Sequence, residues 1–188
     1  MKKMLVILCM VLGVNAFGYS VGDIERDIDR LFSHGMPEVQ KIRIDGKYYD
    51  MDWRRLLMLT AGVESGFATG RYKGRIAKTF MQIEGDSYEW YMDKLTGTRD
   101  KLSQYTNISE LKDENAIAIA YVFYLSKMFV HTSWIDKHKY IFYNNNKDVE
   151  YFVYKLFFNS IKGKTTYKKW QFWENWLEKY EEREEEKC

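Results

Sequence analysis

The sequence predicts a mainly α fold with one small β-hairpin, and three observations predict it. Apolar residues recur at helical spacing through most of the chain, strict alternation is confined to one short stretch, and Pro37 is the only proline in 188 residues. The first helix covers 20–34, where Ile24, Ile28, Leu31 and Phe32 line one face, and Gly35-Met36-Pro37 stops it. Lys41 to Tyr49 alternates around Asp45-Gly46, a tight-hairpin dipeptide. A second helix is expected over 52–65, with Asp50 or Asp52 as its cap and Gly66 in the turn that follows. Residues 68–83 read as loop and turn, hinged at Gly70 and Gly74, and Ser87 to Leu95 as a short helix. Asp113–Val130 and Asp148–Phe158 read as apolar helices. A last helix runs from Trp170, with Trp170, Trp173 and Trp176 as its packing stripe and a solvated acidic end from Glu181 to Lys187.

Composition narrows the function. Hydrophobic residues make up 46% and charged residues 30%, which places the chain among globular proteins. With 15 Tyr, 11 Phe and 6 Trp there are aromatic rings enough for a core and for a ligand surface. The 29 Lys+Arg nearly balance the 27 Asp+Glu, which argues against a nucleic-acid partner held by phosphate neutralisation. Met1-Lys2-Lys3, the apolar run Met4–Val14 and the Val14-Asn15-Ala16 site form a secretory signal pattern over 1–16. The run is short for a membrane span, although an uncleaved anchor is the alternative. Cleavage would leave a single domain, 17–188, with 27 basic residues against 27 acidic ones. Cys9 would leave with the signal and Cys188 is terminal, so no internal disulfide is expected. His34, His131 and His138 are scattered, no cysteine pair or phosphate loop is present, and neither metal nor cofactor is predicted.

One residue does not fit its helix. Trp53, Leu57, Thr60, Ala61 and Glu64 share a face that is apolar until its last member. A carboxyl carried into a cleft wall is poorly solvated as an anion and keeps its proton more readily. A protonated carboxyl is the general acid that glycosidic cleavage needs. The structural alternative is a helix whose last turn is simply exposed.

The flanking residues favour the catalytic reading. Ala61-Gly62-Val63-Glu64-Ser65-Gly66-Phe67, a glycine-bearing loop, and then Ala77-Lys78-Thr79-Phe80-Met81-Gln82-Ile83 resemble the catalytic region of lysozyme-like lytic transglycosylases. Ala118–Met128, with Tyr124-Leu125, is similar to the long buried helix that follows in that family, and Phe157-Phe158-Asn159-Ser160 stands where a Tyr-Asn-Ala-Gly type motif is expected. The resemblance spans about residues 53–160. It implies a lysozyme-like fold and an exported, monomeric enzyme in the periplasm or cell envelope. The implied substrate is peptidoglycan, cut at the β-1,4 bond from N-acetylmuramic acid to N-acetylglucosamine, with Glu64 as sole acid and base. It also implies substrate contacts from Gln82, from Tyr124 on the long helix, and from Asn159 unless that residue ties down a helix end; Ser65 binds a sugar or caps its helix, and Met81 packs beneath the loop or lines the cleft. Tyr88, Trp90 and Tyr91, just after the motif, are aromatic candidates for a sugar face. Some small exported family members open the wall for a secretion or conjugation apparatus, and that role is open here.

The chain departs from the family pattern at Ile76 and Thr79, where small residues are common, and at Phe158, where a tyrosine often assists the glutamate. If that hydroxyl is needed, Tyr154 or Tyr167 must supply it. Two other functions therefore stay open. Glu84 or Asp86 could activate water and make a hydrolytic muramidase, or the fold could bind glycan without turnover.

Overall fold

A computed structural model of the chain describes residues 20–67, 79–92, 94, 96–103, 112–159 and 166–186. The signal segment 1–16, the Gly70 and Gly74 hinges, Ile76, Ser160 and Cys188 lie outside them. Within them helices dominate and one two-stranded antiparallel sheet forms, so the mainly α class with a single hairpin holds. The chain divides into two compact units, residues up to 37 with 64–130, and residues 38–63 with 131–188. The helix Trp53–Ser65 contributes to both.

In the first unit, helix α1 (Val21–Ser33) begins at a capping box. The Ser20 hydroxyl accepts from the Asp23 amide at 3.2 Å, and the Asp23 carboxylate accepts from the Ser20 amide at 2.6 Å. Val21, Ile24, Ile28, Leu31 and Phe32 form its buried stripe, as the spacing predicts.

After the hairpin comes helix α2 (Trp53–Ser65), and then α3 (Gly85–Met92) and α4 (Thr96–Ser103). A short 3-10 turn at Asp113–Asn115 leads into α5 (Ala116–Val130). Helix α5 is apolar on nearly every face, and α1, α3 and α4 all pack against it.

The second unit holds the hairpin, β1 (Val39–Ile44) paired with β2 (Lys47–Asp52) in a register that sets Ile44 opposite Lys47. Asp45 and Gly46 take φ of 51° and 79°, the left-handed pair of a tight turn whose twist suits the strands. Ile42, Ile44 and Met51 are buried. Four further helical pieces follow: α6 (Ser133–Lys137), α7 (Lys139–Asn144), α8 (Val149–Val153) and a π-helical turn, Tyr154–Phe158. The periodicity misses α4, α6 and α7 because each spans about two turns or fewer, too short for a repeat to show. Helix α9 (Tyr167–Glu185) starts earlier than expected, capped by the Thr166 side chain. Trp170 and Trp173 are buried, whereas Trp176 is half-buried and stacks on Tyr180 at 5.5 Å, so the tryptophan stripe stops one residue short.

A charge cluster ties these elements together. Arg55, on the first turn of α2, pairs with Asp148, Glu150 and Glu174, and the Glu150 carboxylate also accepts from the Asp52 amide at 2.7 Å. Burial opposes the Arg55 charge, but Asp148, Glu150 and Glu174 outweigh it and hold the guanidinium more firmly protonated than usual. Burial raises the Glu150 carboxyl, partly offset by the Asp52 amide and Arg55. Removing the arginine strands largely buried carboxylates, which is far costlier than losing a surface pair. Arg55→Met is expected to lower stability by about 3 kcal/mol in urea unfolding, and Lys41→Met, in the exposed pair with Asp50, by less than about 1 kcal/mol. Equal losses would show that the cluster is not a stabilising centre.

Candidate functional site

The site is built on the far end of α2. Asp52 caps the start, its carboxylate accepting from the Arg55 amide at 3.1 Å; Asp50 instead pairs with Lys41. Every residue from Leu56 to Val63 is buried. Trp53, Leu57, Thr60 and Ala61 are all fully buried, and the Thr60 hydroxyl donates within the helix to the Leu56 carbonyl at 2.7 Å. Glu64 is the first polar group to emerge, half-buried, with Ser65 and Gly66 beside it. The backbone then reverses: Gly66 and Phe67 take φ of 66° and 59°. Glycine adopts this conformation freely, and Phe67 adopts it because its ring is buried.

The second motif is a tight turn. The Gln82 amide donates to the Thr79 carbonyl at 2.8 Å, and Gln82 itself sits at φ 56°. Left-handed backbone costs a non-glycine residue about 1–2 kcal/mol. Burial of Phe80, Met81 and Ile83, at about 1.5–3 kcal/mol each, exceeds that cost and pins the turn. The Asp113 carboxylate also accepts from the Phe80 amide at 2.7 Å. From Thr79 to Ile83, only the Gln82 side chain is left part-exposed. Strained backbone at a polar residue that surrounding packing holds in place is typical of functional positions. Thr79, in the place of the expected glycine, is fully buried, and its hydroxyl finds no hydrogen-bond partner among the described residues.

Glu64, Ser65, Met81, Gln82, Glu84, Tyr88 and Tyr124 all belong to the first unit, and Asn159 to the second. Their exposures separate them. Met81 and Tyr124 are fully buried and Tyr88 is 4% exposed, so these three shape the interior and offer a sugar almost no surface. Glu84 is exposed. Asn159 accepts from the Lys155 ammonium at 3.1 Å, which ties its amide to a helix end. Phe158 stacks on Tyr154 at 6.1 Å, and Tyr154 is itself fully buried. Tyr167 is half-buried against Tyr151. In the second unit a cavity of about 250 Å³ continues the ion cluster: Arg54, Arg55, Glu174, Glu178 and Glu181 line it together with Leu59 and Leu177, so charged and apolar walls both face it.

Two residues of consequence escape a reading by motif. Asp113 holds the Gln82 turn from a distant part of the sequence, and no local spacing announces it. Lys127, on α5, sits with its ammonium over the rings of Tyr91 and Phe123. Burial pushes the Lys127 ammonium down to about 8, and the nearby Glu84 charge limits the drop. The Lys127 side chain is expected to titrate near pH 8 by NMR, and Glu84→Gln to move that midpoint lower still. An unchanged midpoint in the variant would show that Glu84 does not act on Lys127.

Among the described residues, no group of three His, Cys, Asp or Glu side chains could hold a metal ion, and no helix is long and apolar enough to cross a membrane. No family model, curated protein or solved structure matches this chain.

Proposed function

We propose that this chain is an exported enzyme that cleaves peptidoglycan glycan strands by lytic transglycosylase chemistry. The observation that carries the reading is Glu64, a carboxyl emerging half-buried from a fully buried helical run, with the backbone reversing directly after it. Gln82, the one part-exposed side chain of a strained and pinned turn, supports it, as does the likeness of both segments to the family motifs.

In this reading the Glu64 carboxyl protonates the glycosidic oxygen as the C1–O bond breaks, releasing the N-acetylglucosamine end. The resulting carboxylate takes the proton of the C6 hydroxyl of the muramic residue, and O6 closes on C1 to form the 1,6-anhydro ring. The proton regained restores Glu64. No water enters the products, so no second carboxylate is required. The Gln82 amide, donor and acceptor at once, suits an N-acetyl group or a sugar hydroxyl. Glu84, the alternative base for a hydrolytic enzyme, is exposed and has the Lys127 charge nearby, which fits a carboxylate kept as a counter-ion better than one poised to activate water.

Glu64→Gln is expected to cut the release of soluble fragments from purified sacculi by about 100-fold or more, with stability changed by less than about 1 kcal/mol. Full release by that variant would overturn the assignment. Mass spectrometry of the wild-type digest should show 1,6-anhydro-muramic ends. Reducing ends would instead identify a hydrolytic muramidase, and sacculus binding with no release a glycan-binding protein.

A further inference from the structure

Helix α3, the turn after it and helix α5 carry a continuous row of rings and cations. The Lys94 ammonium lies over the Trp90 ring at 4.6 Å, and Trp90 meets Tyr91 edge-to-face at 4.7 Å. Tyr91 meets Phe123 in the same way at 5.3 Å, and the Lys127 ammonium lies 5.3 Å from the Tyr91 ring centre and 4.3 Å from that of Phe123. All of these residues belong to the first unit, as do Glu64 and Gln82. The row is open to a ligand, because Trp90 is 50% exposed and Lys94 is exposed.

Lys127 is the unusual member. Its ammonium carries three donors, yet among the described residues no hydrogen bond or contact ion pair reaches it. Ring faces compensate a cation by about 0.5–2 kcal/mol but accept no N–H bond of normal strength. The nearby Glu84 attracts it through space only. A half-buried ammonium that meets no acceptor among the described residues, one ring away from an exposed indole, is suited to an anionic group attached to a ring-bearing or apolar body. A carboxylate on a glycopeptide has that form: the oxygens take the donors and the sugar or peptide lies on the rings.

We propose that Lys127, with Trp90, Tyr91 and Lys94 and backed by the buried ring of Phe123, forms a receptor for the carboxylates of the peptide arm borne by the glycan strand. The ligand's identity rests on the peptidoglycan reading above; the receptor geometry does not. Lys127 is then a specificity residue that distinguishes strands with free acids from strands whose acids are amidated.

The test is calorimetric binding to the full-length protein of two soluble probes: disaccharide-peptide fragments of wall glycan with free stem carboxylates, and the same fragments with those carboxylates amidated. The acid form is expected to bind about tenfold tighter, the worth of one charge-assisted hydrogen bond. Lys127→Gln should erase the preference and Lys127→Arg keep it. Glu84→Gln, at an exposed position that should leave the fold intact, should tighten binding of the acid form. Equal binding of both probes, binding of neither, or a preference that survives Lys127→Gln would overturn the proposal. Because binding needs no turnover, a preference without cleavage would refute the enzyme and leave the receptor. Cleavage without a preference would do the reverse.

Discussion

The structure depends on one constraint: helix α2 is buried without a break from Leu56 to Val63. A helix enclosed in this way has no solvated face on which to carry charge. Polar groups within the run must be satisfied internally, as the Thr60 hydroxyl is by the Leu56 carbonyl, and all ionisable groups are forced to the ends. Arg54 and Arg55 therefore collect at one end and Glu64 at the other. Glu64 is where it is because the interior of the helix could not hold it.

That distribution opposes the helix macrodipole. The first turn of α2 has no acidic residue and two arginines, and the last turn has a glutamate and no base. At the first turn the opposition is offset by neighbours: Asp148, Glu150 and Glu174 surround Arg55, and the Asp52 carboxylate caps the exposed amides. At the last turn, the Lys169 ammonium donates to the Val63 carbonyl at 2.6 Å and returns positive charge to the negative end. Each unfavourable end is stabilised by side chains remote in sequence, so the helix owes its position to tertiary electrostatics as much as to its apolar residues.

Much of this organisation is legible in the chain itself, and the exceptions have physical reasons. The capping residues Asp52 and Thr166 and the Asp45-Gly46 turn act through local backbone geometry, though only the first and last stand out in the sequence, since Thr166 lies within a polar stretch. The emergence of Glu64 is legible too, because it needs only the period of one helix. By contrast, the burial of Met81, Tyr88 and Tyr124 depends on what packs over them, and a motif cannot separate a ring that lines a cleft from one behind it. Asp113 and Lys127 act through space, from 33 and 43 residues beyond Phe80 and Glu84 respectively, and no periodic signal links them to their targets. The left-handed backbone of Gln82 is likewise invisible in sequence, where glycine or asparagine is the usual sign of that conformation.

The π-helical turn at Tyr154–Phe158 decides where the residues after it point. Its wide hydrogen bond, from the Asn159 amide to the Tyr154 carbonyl at 2.9 Å, encloses one more residue than an α-helical turn would. A turn that holds one residue more than an α-helical turn rotates everything after it by about 100° relative to an uninterrupted α-helix. Phe158 and Asn159 therefore point about one residue out of step with the directions that α-helical periodicity counted from Val149 would assign them.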